Sequence, residues 1–402
     1  MTFATYWRFS ILVLHYSSIL AGKIAALMFL KKLYFCLFIL AIALSPNICH
    51  AGNPALILGS DTAKTLRLQR ATAHVEKMIS LKRKSNHLWK RSIWWTSANI
   101  MESLIDYHQL TGKDFSKELK KIYRRNVNAG RPRFISPNAF DDDEWWALAW
   151  LKAYDMTGDK KYLAISDGIF RHMVKQAWSP VCGGGLNWQL FHHYKNSVTN
   201  ELFLILSARL ALATQDSVKK KYYSDWAFKE WDWFRQSKMF SDTLWIADGL
   251  AKDCSCHYGT KPEGTYTYTQ GLILGGLKYL YQLTSDRKYL DEARVMAHAS
   301  MKNFSNSDGI LTENGDIPSH DNIQFKGVYI RYLALINTEL HDVDITKYIL
   351  HNADHVWLCN RGNDGFCDYD WNGPYKKTRW SGAAHGSTMD LMNAALMQYS
   401  FK

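Results

Sequence analysis

Four consecutive carboxylates, Asp141, Asp142, Asp143 and Glu144, run directly into Trp145 and Trp146, with Trp150 one helical turn further on. Adjacent carboxylates repel one another, so at least one of such a run holds a proton near neutral pH, the more so where indole rings exclude water. A proton donor beside an ionised carboxylate is the pair that cleavage of a glycosidic bond requires, and flat indole faces suit the apolar faces of sugar rings. Acidic residues also gather at helix starts, where they accept bonds from unpaired N–H groups and offset the positive end of the helix dipole. One cap uses one carboxylate, however, and three more remain beside the two tryptophans.

The elements that must position these residues are helical. From residue 64 onward apolar residues recur at three- and four-residue spacing, with a first segment expected over 71–81, and strand-like alternation is scarce. A weak repeat marks the joints. Residues 107–115 (YHQLTGKDF), 154–162 (YDMTGDKKY) and 281–289 (YQLTSDRKY) each read as a helix end, a turn and a helix restart. Gly112, Gly158 and Ser285 stand where a C-terminal cap is expected, and Asp114, Asp159 and Asp286 can start the next helix. The first two copies lie 47 residues apart, the length of one helical hairpin with its loops, so the chain after residue 51 holds six or seven such units. Closing six hairpins into a ring buries every apolar stripe without a free end, which predicts an all-α toroid, an (α/α)6 barrel. Segments starting near Asn196, Tyr266 and Phe325 open with polar and aromatic residues before an apolar run, the first of them expected to be amphipathic. One set of helix ends shares one face of the ring, and that face is expected to carry the site.

With 47% hydrophobic and 14% aromatic residues, including 16 Trp, the 402-residue chain can bury a large core. Residues 1–51 read as a leader, with Met28 favoured as the true start. Lys31 and Lys32 precede a mostly apolar stretch at 33–44, and Ala51 follows as a small-residue cleavage site. A secretory signal fits these features better than a spanning helix of about 20 residues. The expected product is a single domain over 52–402, secreted or otherwise extracytoplasmic, without stable membrane insertion. Removing the leader's four basic residues leaves 45 basic against 37 acidic residues. That excess is spread along the chain with no basic block, which argues against a nucleic-acid partner. Of the five remaining cysteines, Cys359 and Cys367 could close a small loop, and the odd count leaves a thiol over. Cys254-Ser-Cys256 and His192-His193 lack partners at ligand spacing, so no metal is expected. The glycines at 183–185 precede no Lys-Ser/Thr, which excludes a phosphate loop; they are expected to bring backbone close to a ligand.

Several stretches together resemble glycoside hydrolase family 76, the endo-α-1,6-mannanases, over residues 94–397. They are Trp94-Trp95-Thr-Ser-Ala-Asn99, the acidic run with Trp145-Trp146, Cys182-Gly-Gly-Gly185, Lys195-Asn196-Ser-Val-Thr-Asn200-Glu201, Tyr268-Thr-Gln270-Gly271, and Gln324-Phe325-Lys326-Gly327 with Arg331. The family fold is an (α/α)6 barrel. Its Asp-Asp-x-x-Trp-Trp pattern, counted back from Trp145, puts the catalytic pair at Asp141 and Asp142, although the residues alone leave Asp142 with Asp143 open. The resemblance implies that Asp141 is the nucleophile and Asp142 the general acid/base of a retaining mechanism that needs no metal and no cofactor. The implied substrate is a mannose-containing polysaccharide or oligosaccharide. Trp95, Trp145 and Trp146 are candidate stacking platforms, and Asn99, Asn196, Asn200, Glu201, Tyr268, Gln270, Gln324 and Lys326 are candidate partners for sugar hydroxyls. Thr269 stands where relatives have Asn.

Two other readings compete. A cell-wall transglycosidase would use the same covalent intermediate with a sugar as acceptor; the chain's final residues carry no lipid-anchor pattern, which favours hydrolysis. A non-catalytic glycan-binding homologue would have lost one of the paired acids, and both are present. The oligomeric state is not legible.

Overall fold

The joints read from sequence are where the chain reverses. In a computed structural model of the protein, describing residues 60–128, 134–135, 139–191, 194–241, 244–256, 265–313, 319–376 and 381–399, Gly112, Gly158 and Ser285 all adopt left-handed backbone. Each donates its N–H to the carbonyl four residues back, at 2.7 Å. Asp114, Asp159 and Asp286 accept the N–H two residues on, at 2.8, 3.2 and 3.0 Å, and so start the following helices. A fourth joint of the same kind uses His341, at φ 50°, followed by Asp342 capping the N–H groups of Asp344 and Ile345.

The described residues form twelve α-helices: α1 (Ser60–Ser80), α2 (Trp94–Thr111), α3 (Ser116–Asn126), α4 (Phe140–Thr157), α5 (Lys160–His172), α6 (Ser197–Ala213), α7 (Ser217–Gln236), α8 (Thr267–Thr284), α9 (Lys288–Asn303), α10 (Asn322–Leu340), α11 (Val343–Cys359) and α12 (Ser381–Met397). The even-numbered helices pack in sequence, α2 on α4, α4 on α6, α6 on α8, α8 on α10 and α10 on α12, and α12 closes back on α2. The odd-numbered helices flank them, which gives the expected (α/α)6 barrel. A two-residue ladder of β1 (Lys195–Asn196) and β2 (Gly249–Leu250) is the one sheet among the described residues.

The inner helices are buried almost all round, as their composition requires. In α6 every residue from Ser197 to Ala211 is buried, so the amphipathic face expected there is absent. The inner helices approach closely: a Cβ on Gly271 would lie 2.5 Å from Cα of Tyr329, and one on Gly327 would lie 2.5 Å from Cα of Ser387. Buried charges tie the ring across its closure. Arg331 of α10 bonds Asp390 of α12 at 2.8 and 3.1 Å, Asn99 of α2 at 2.9 Å, and pairs with Glu102 at 3.4 Å. Lys152 of α4 reaches Glu102 and Asp106 of α2 at 3.1 and 2.7 Å.

All described residues fall in one unit, Asn53–Lys402. The leader expected over 1–51 lies outside them, as do His192 and His193. No helix among the described residues is long and apolar enough to cross a membrane. The disulfide corrects one expectation: Cys182 is bonded to Cys254 across 72 residues, while Cys256, Cys359 and Cys367 are thiols, so no bond joins Cys359 to Cys367. Cys254 is thereby removed from any Cys254–Cys256 metal pair.

Candidate active site

The starts of five inner helices, with the segments leading into them, surround a cleft of about 460 Å³. Helix α2 contributes Ile93, Trp94 and Trp95; α4 contributes Ala139, Asp141, Asp142 and Trp145. The segment entering α6 brings Trp188, Tyr194, Asn196 and Val198, the approach to β2 brings Asp248, α8 brings Tyr268, and α10 brings His320, Asp321 and Phe325. Functional types therefore gather at one set of helix ends.

None of the four acids occupies the N-cap of α4. That position is Ala139, in extended backbone with no side-chain bond. Asp141, Asp142 and Asp143 lie inside the first turn with Glu144 just after it, and the four divide by direction. Asp141 and Asp142 line the cleft, whereas Asp143 and Glu144 are fully buried. The Oδ1 atom of Asp141 accepts the Trp188 indole N–H at 3.1 Å and the Asp142 backbone N–H at 3.0 Å. The Trp188 carbonyl in turn accepts the N–H of Phe140 at 3.0 Å, which locks this segment to the start of α4. Burial and the adjacent Asp142 charge push Asp141 up to about 8, against the pull of its two N–H donors. Carboxylates this closely coupled titrate as a pair, so the pair retains a proton at neutral pH.

A third acid faces the same space. Asp248 accepts the hydroxyls of Tyr194 at 2.7 Å and Tyr268 at 3.1 Å, and burial raises its pKa. The ladder of β1 with β2 fixes it beside Asn196, whose Oδ1 is buried without a hydrogen-bond partner among the described residues. Across the cleft residues, the Trp95 indole donates to Asp321 at 2.9 Å and its ring stacks on Trp145 at 5.6 Å, while Tyr268 stacks on Phe325 at 3.9 Å.

Of the residues singled out in the sequence, Asp141, Asp142, Trp95, Trp145, Asn196 and Tyr268 line the cleft. The others do not, and their surroundings explain why. Trp146 is fully buried among Trp94, Phe134 and Trp150. Asn99 bonds the Trp95 carbonyl and Arg331. Asn200 holds both backbone groups of Leu186 and the carbonyl of Asn196. Gln270 does the same for Ile246. Gln324 donates to Asp390, and Lys326 donates to the Tyr369 carbonyl. Glu201 is fully enclosed, its carboxyl raised by burial and by the Asp248 charge. The glycine loop also turns away: a side chain at Gly185 would collide with the Trp233 ring at 2.3 Å, and its carbonyl takes the Lys195 amine at 2.6 Å. Trp188, Tyr194, Asp248, His320 and Asp321 carried no motif that marked them as cleft residues, whereas Phe325 stood in the Gln324-Phe325-Lys326-Gly327 stretch.

Comparison with known proteins agrees with this architecture. The chain is 28% identical to mannan endo-1,6-alpha-mannosidase DCW1 of Candida albicans over 316 residues, 72% of this chain and 67% of that protein. It is 29% identical to mannan endo-1,6-alpha-mannosidase DFG5 of Saccharomyces cerevisiae over 304 residues, 69% and 65% of the two chains. Among solved structures, an α-1,6-mannanase of Salegentibacter sp. HEL1_6 superposes with a TM-score of 0.71 at 23% identity, covering 83% of this chain and 99% of that one. That structure is an inactive variant, with two adjacent aspartates replaced by alanine, in complex with α-1,6-mannotetrose. The pattern of glycosyl hydrolase family 76 runs over residues 69–401, and the chain belongs to that family.

Proposed function

We propose that the protein is an exported, endo-acting and retaining glycoside hydrolase that cleaves α-1,6-mannosidic bonds in a mannan-type polysaccharide. The observation that carries this reading is the pair of neighbouring aspartates, Asp141 and Asp142, lining an open cleft walled by indoles. The relatives named mannan endo-1,6-alpha-mannosidases support the linkage, and so does the inactive α-1,6-mannanase variant, its adjacent aspartates replaced, in complex with α-1,6-mannotetrose.

Asp141 is the nucleophile on this reading. Its two N–H donors and the positive end of α4 favour its ionised form, which leaves the shared proton for Asp142. In the first step an Asp141 oxygen forms a bond to the anomeric carbon, the bond from that carbon to the leaving O6 breaks, and Asp142 delivers its proton to O6. Asp142, now ionised, takes a proton from water; the water oxygen attacks the same carbon, and the bond to Asp141 breaks. Trp95 and Trp145, stacked on each other, form the part of the cleft wall against which the sugars lie. Asn196 and the Tyr194–Asp248–Tyr268 cluster offer polar atoms to their hydroxyls.

The test is incubation of the protein with linkage-defined mannans, following the first product by proton NMR. An α-configured product from an α-1,6-linked chain is expected. A β-configured first product removes the covalent step, and no cleavage of any mannan removes the function. Products longer than the substrate would identify a sugar, in place of water, as the acceptor.

A further inference from the structure

The described stretch 188–191 begins at Trp188, which lines the cleft together with Tyr194. These two residues form a tied base. The Trp188 N–H donates to the Tyr194 carbonyl at 2.8 Å, the two rings meet edge to face at 6.2 Å, and Trp188 is bonded to both Phe140 and Asp141 of the catalytic helix. Beyond this base the chain presents two apolar side chains to solvent in succession, Leu190 at 40% and Phe191 at 88% exposure. Phe191 is the most exposed large hydrophobic side chain among the described residues. Isolated surface valines need no account, and Val218, Val295 and Val343 sit on the outer helices α7, α9 and α11. Phe191 differs because it stands on a cleft-forming segment, three residues from both Trp188 and Tyr194, and therefore within one or two sugar lengths of the cleft edge.

We propose that Phe191, with Leu190 beside it, is an outlying platform that receives the apolar face of a sugar unit lying beyond the cleft, and so selects for long chains over short ones. The proposal rests on the polysaccharide-cleaving function above. An exposed phenyl ring is suited to this role: it has no polar group to orient a particular hydroxyl, so it accepts successive units of a uniform polymer without fixing their register. Because it lies away from Asp141 and Asp142, its contact is the same in the ground state and in the transition state, and its contribution falls on KM and leaves kcat alone.

The experiment compares wild type, Phe191→Ala and Phe191→Tyr on an α-1,6-mannan polymer and on α-1,6-mannotriose. For Phe191→Ala the KM on polymer is expected to rise about three- to tenfold, the value of one aromatic contact, with kcat unchanged. Both constants on the trisaccharide should stay at wild-type values, and Phe191→Tyr should restore the polymer KM. Equal losses on polymer and trisaccharide, or no loss on either, overturn the platform while leaving the hydrolase intact. If the wild-type protein cleaves neither substrate, the underlying function fails and the platform with it.

Discussion

The indole N–H of Trp188 donates to Oδ1 of Asp141 at 3.1 Å, from a loop 47 residues further along the chain. The bond supports the ionised form of a carboxylate that burial and the Asp142 charge nonetheless raise to about 8. Replacing Trp188 by Phe keeps most of the ring surface and removes the donor. A hydrogen bond to a charged group contributes about 1.5–3 kcal/mol, so kcat should fall roughly ten- to a hundredfold. The sign of the pH effect follows from the same bond. Activity needs the pair's shared proton and should be lost as pH rises past about 8; without the indole donor the proton is held more tightly, and this alkaline limb should move upward. A pH profile of kcat/KM reads both effects, and a limb that moves downward contradicts the assigned geometry.

The two aspartates should fail differently. Asp141→Asn should remove turnover, while Asp142→Asn should cost about 10²–10⁴-fold on substrates with poor leaving groups. Azide separates the roles. In the Asp141 variant azide attacks in place of the lost carboxylate and should give a β-mannosyl azide. In the Asp142 variant it intercepts the covalent intermediate and should give the α anomer. Exchange of these two outcomes would exchange the two assignments.

What was legible beforehand depended on whether the determinant was local. The reversals at Gly112, Gly158 and Ser285 could be read because a left-handed residue followed by a capping aspartate is a signal within five residues. His341 escaped notice because it follows Leu340, without the Thr-Gly or Thr-Ser turn that the other three joints share. Trp145 and Trp146 look alike in sequence, yet adjacent helical positions point about 100° apart, and one lines the cleft while the other joins the core. Asn200 and Gln270 have the composition of sugar-binding amides, but their partners are the backbone of Leu186 and Ile246 on loops brought close by tertiary packing. Asp248 was invisible for the same reason: its place is set by the pairing of Asn196 with Gly249 and by the Cys182–Cys254 bond nearby.

Stability should decline with alkaline pH. Asp141 is raised to about 8, and burial also raises Glu144, Glu201 and Glu230. The folded protein therefore keeps protons that the unfolded chain releases from about pH 4 upward. Stability from these groups is fully present at the acid end and is lost as pH rises through their folded values. Burial lowers His385 to about 4 and lowers His74 as well, which works in the opposite direction below about pH 6.5. Between about pH 7.5 and 8.5 the histidines are neutral in both states; the raised acids should lower the melting temperature there, while Lys195 and Lys326, lowered to about 8 by burial, oppose part of the fall. Asp141→Asn should make that fall shallower. A steeper or unchanged slope by calorimetry would show that the Asp141–Asp142 pair holds no proton in this range.

Arg331 was conspicuous in the sequence and serves the ring rather than the cleft. Its guanidinium joins α10 to α12 through Asp390 at 2.8 Å and to α2 through Asn99 and Glu102, with every partner buried. Removing one member strands the others without water, and breaking such a pair costs about 3–5 kcal/mol. Asp390→Ala should therefore lower the free energy of urea unfolding by that amount. It should also leave Asp141 and Asp142 in place, so KM at low temperature is expected to stay at the wild-type value. Replacing both Arg331 and Asp390, as Arg331→Met with Asp390→Leu, should recover a large part of the loss, because Glu102 keeps Lys152 at 3.1 Å. If the double variant is less stable than Asp390→Ala, the pair is net stabilising and the recovery argument is wrong. If Asp390→Ala unfolds at the wild-type urea concentration, the closure of the ring does not depend on this contact.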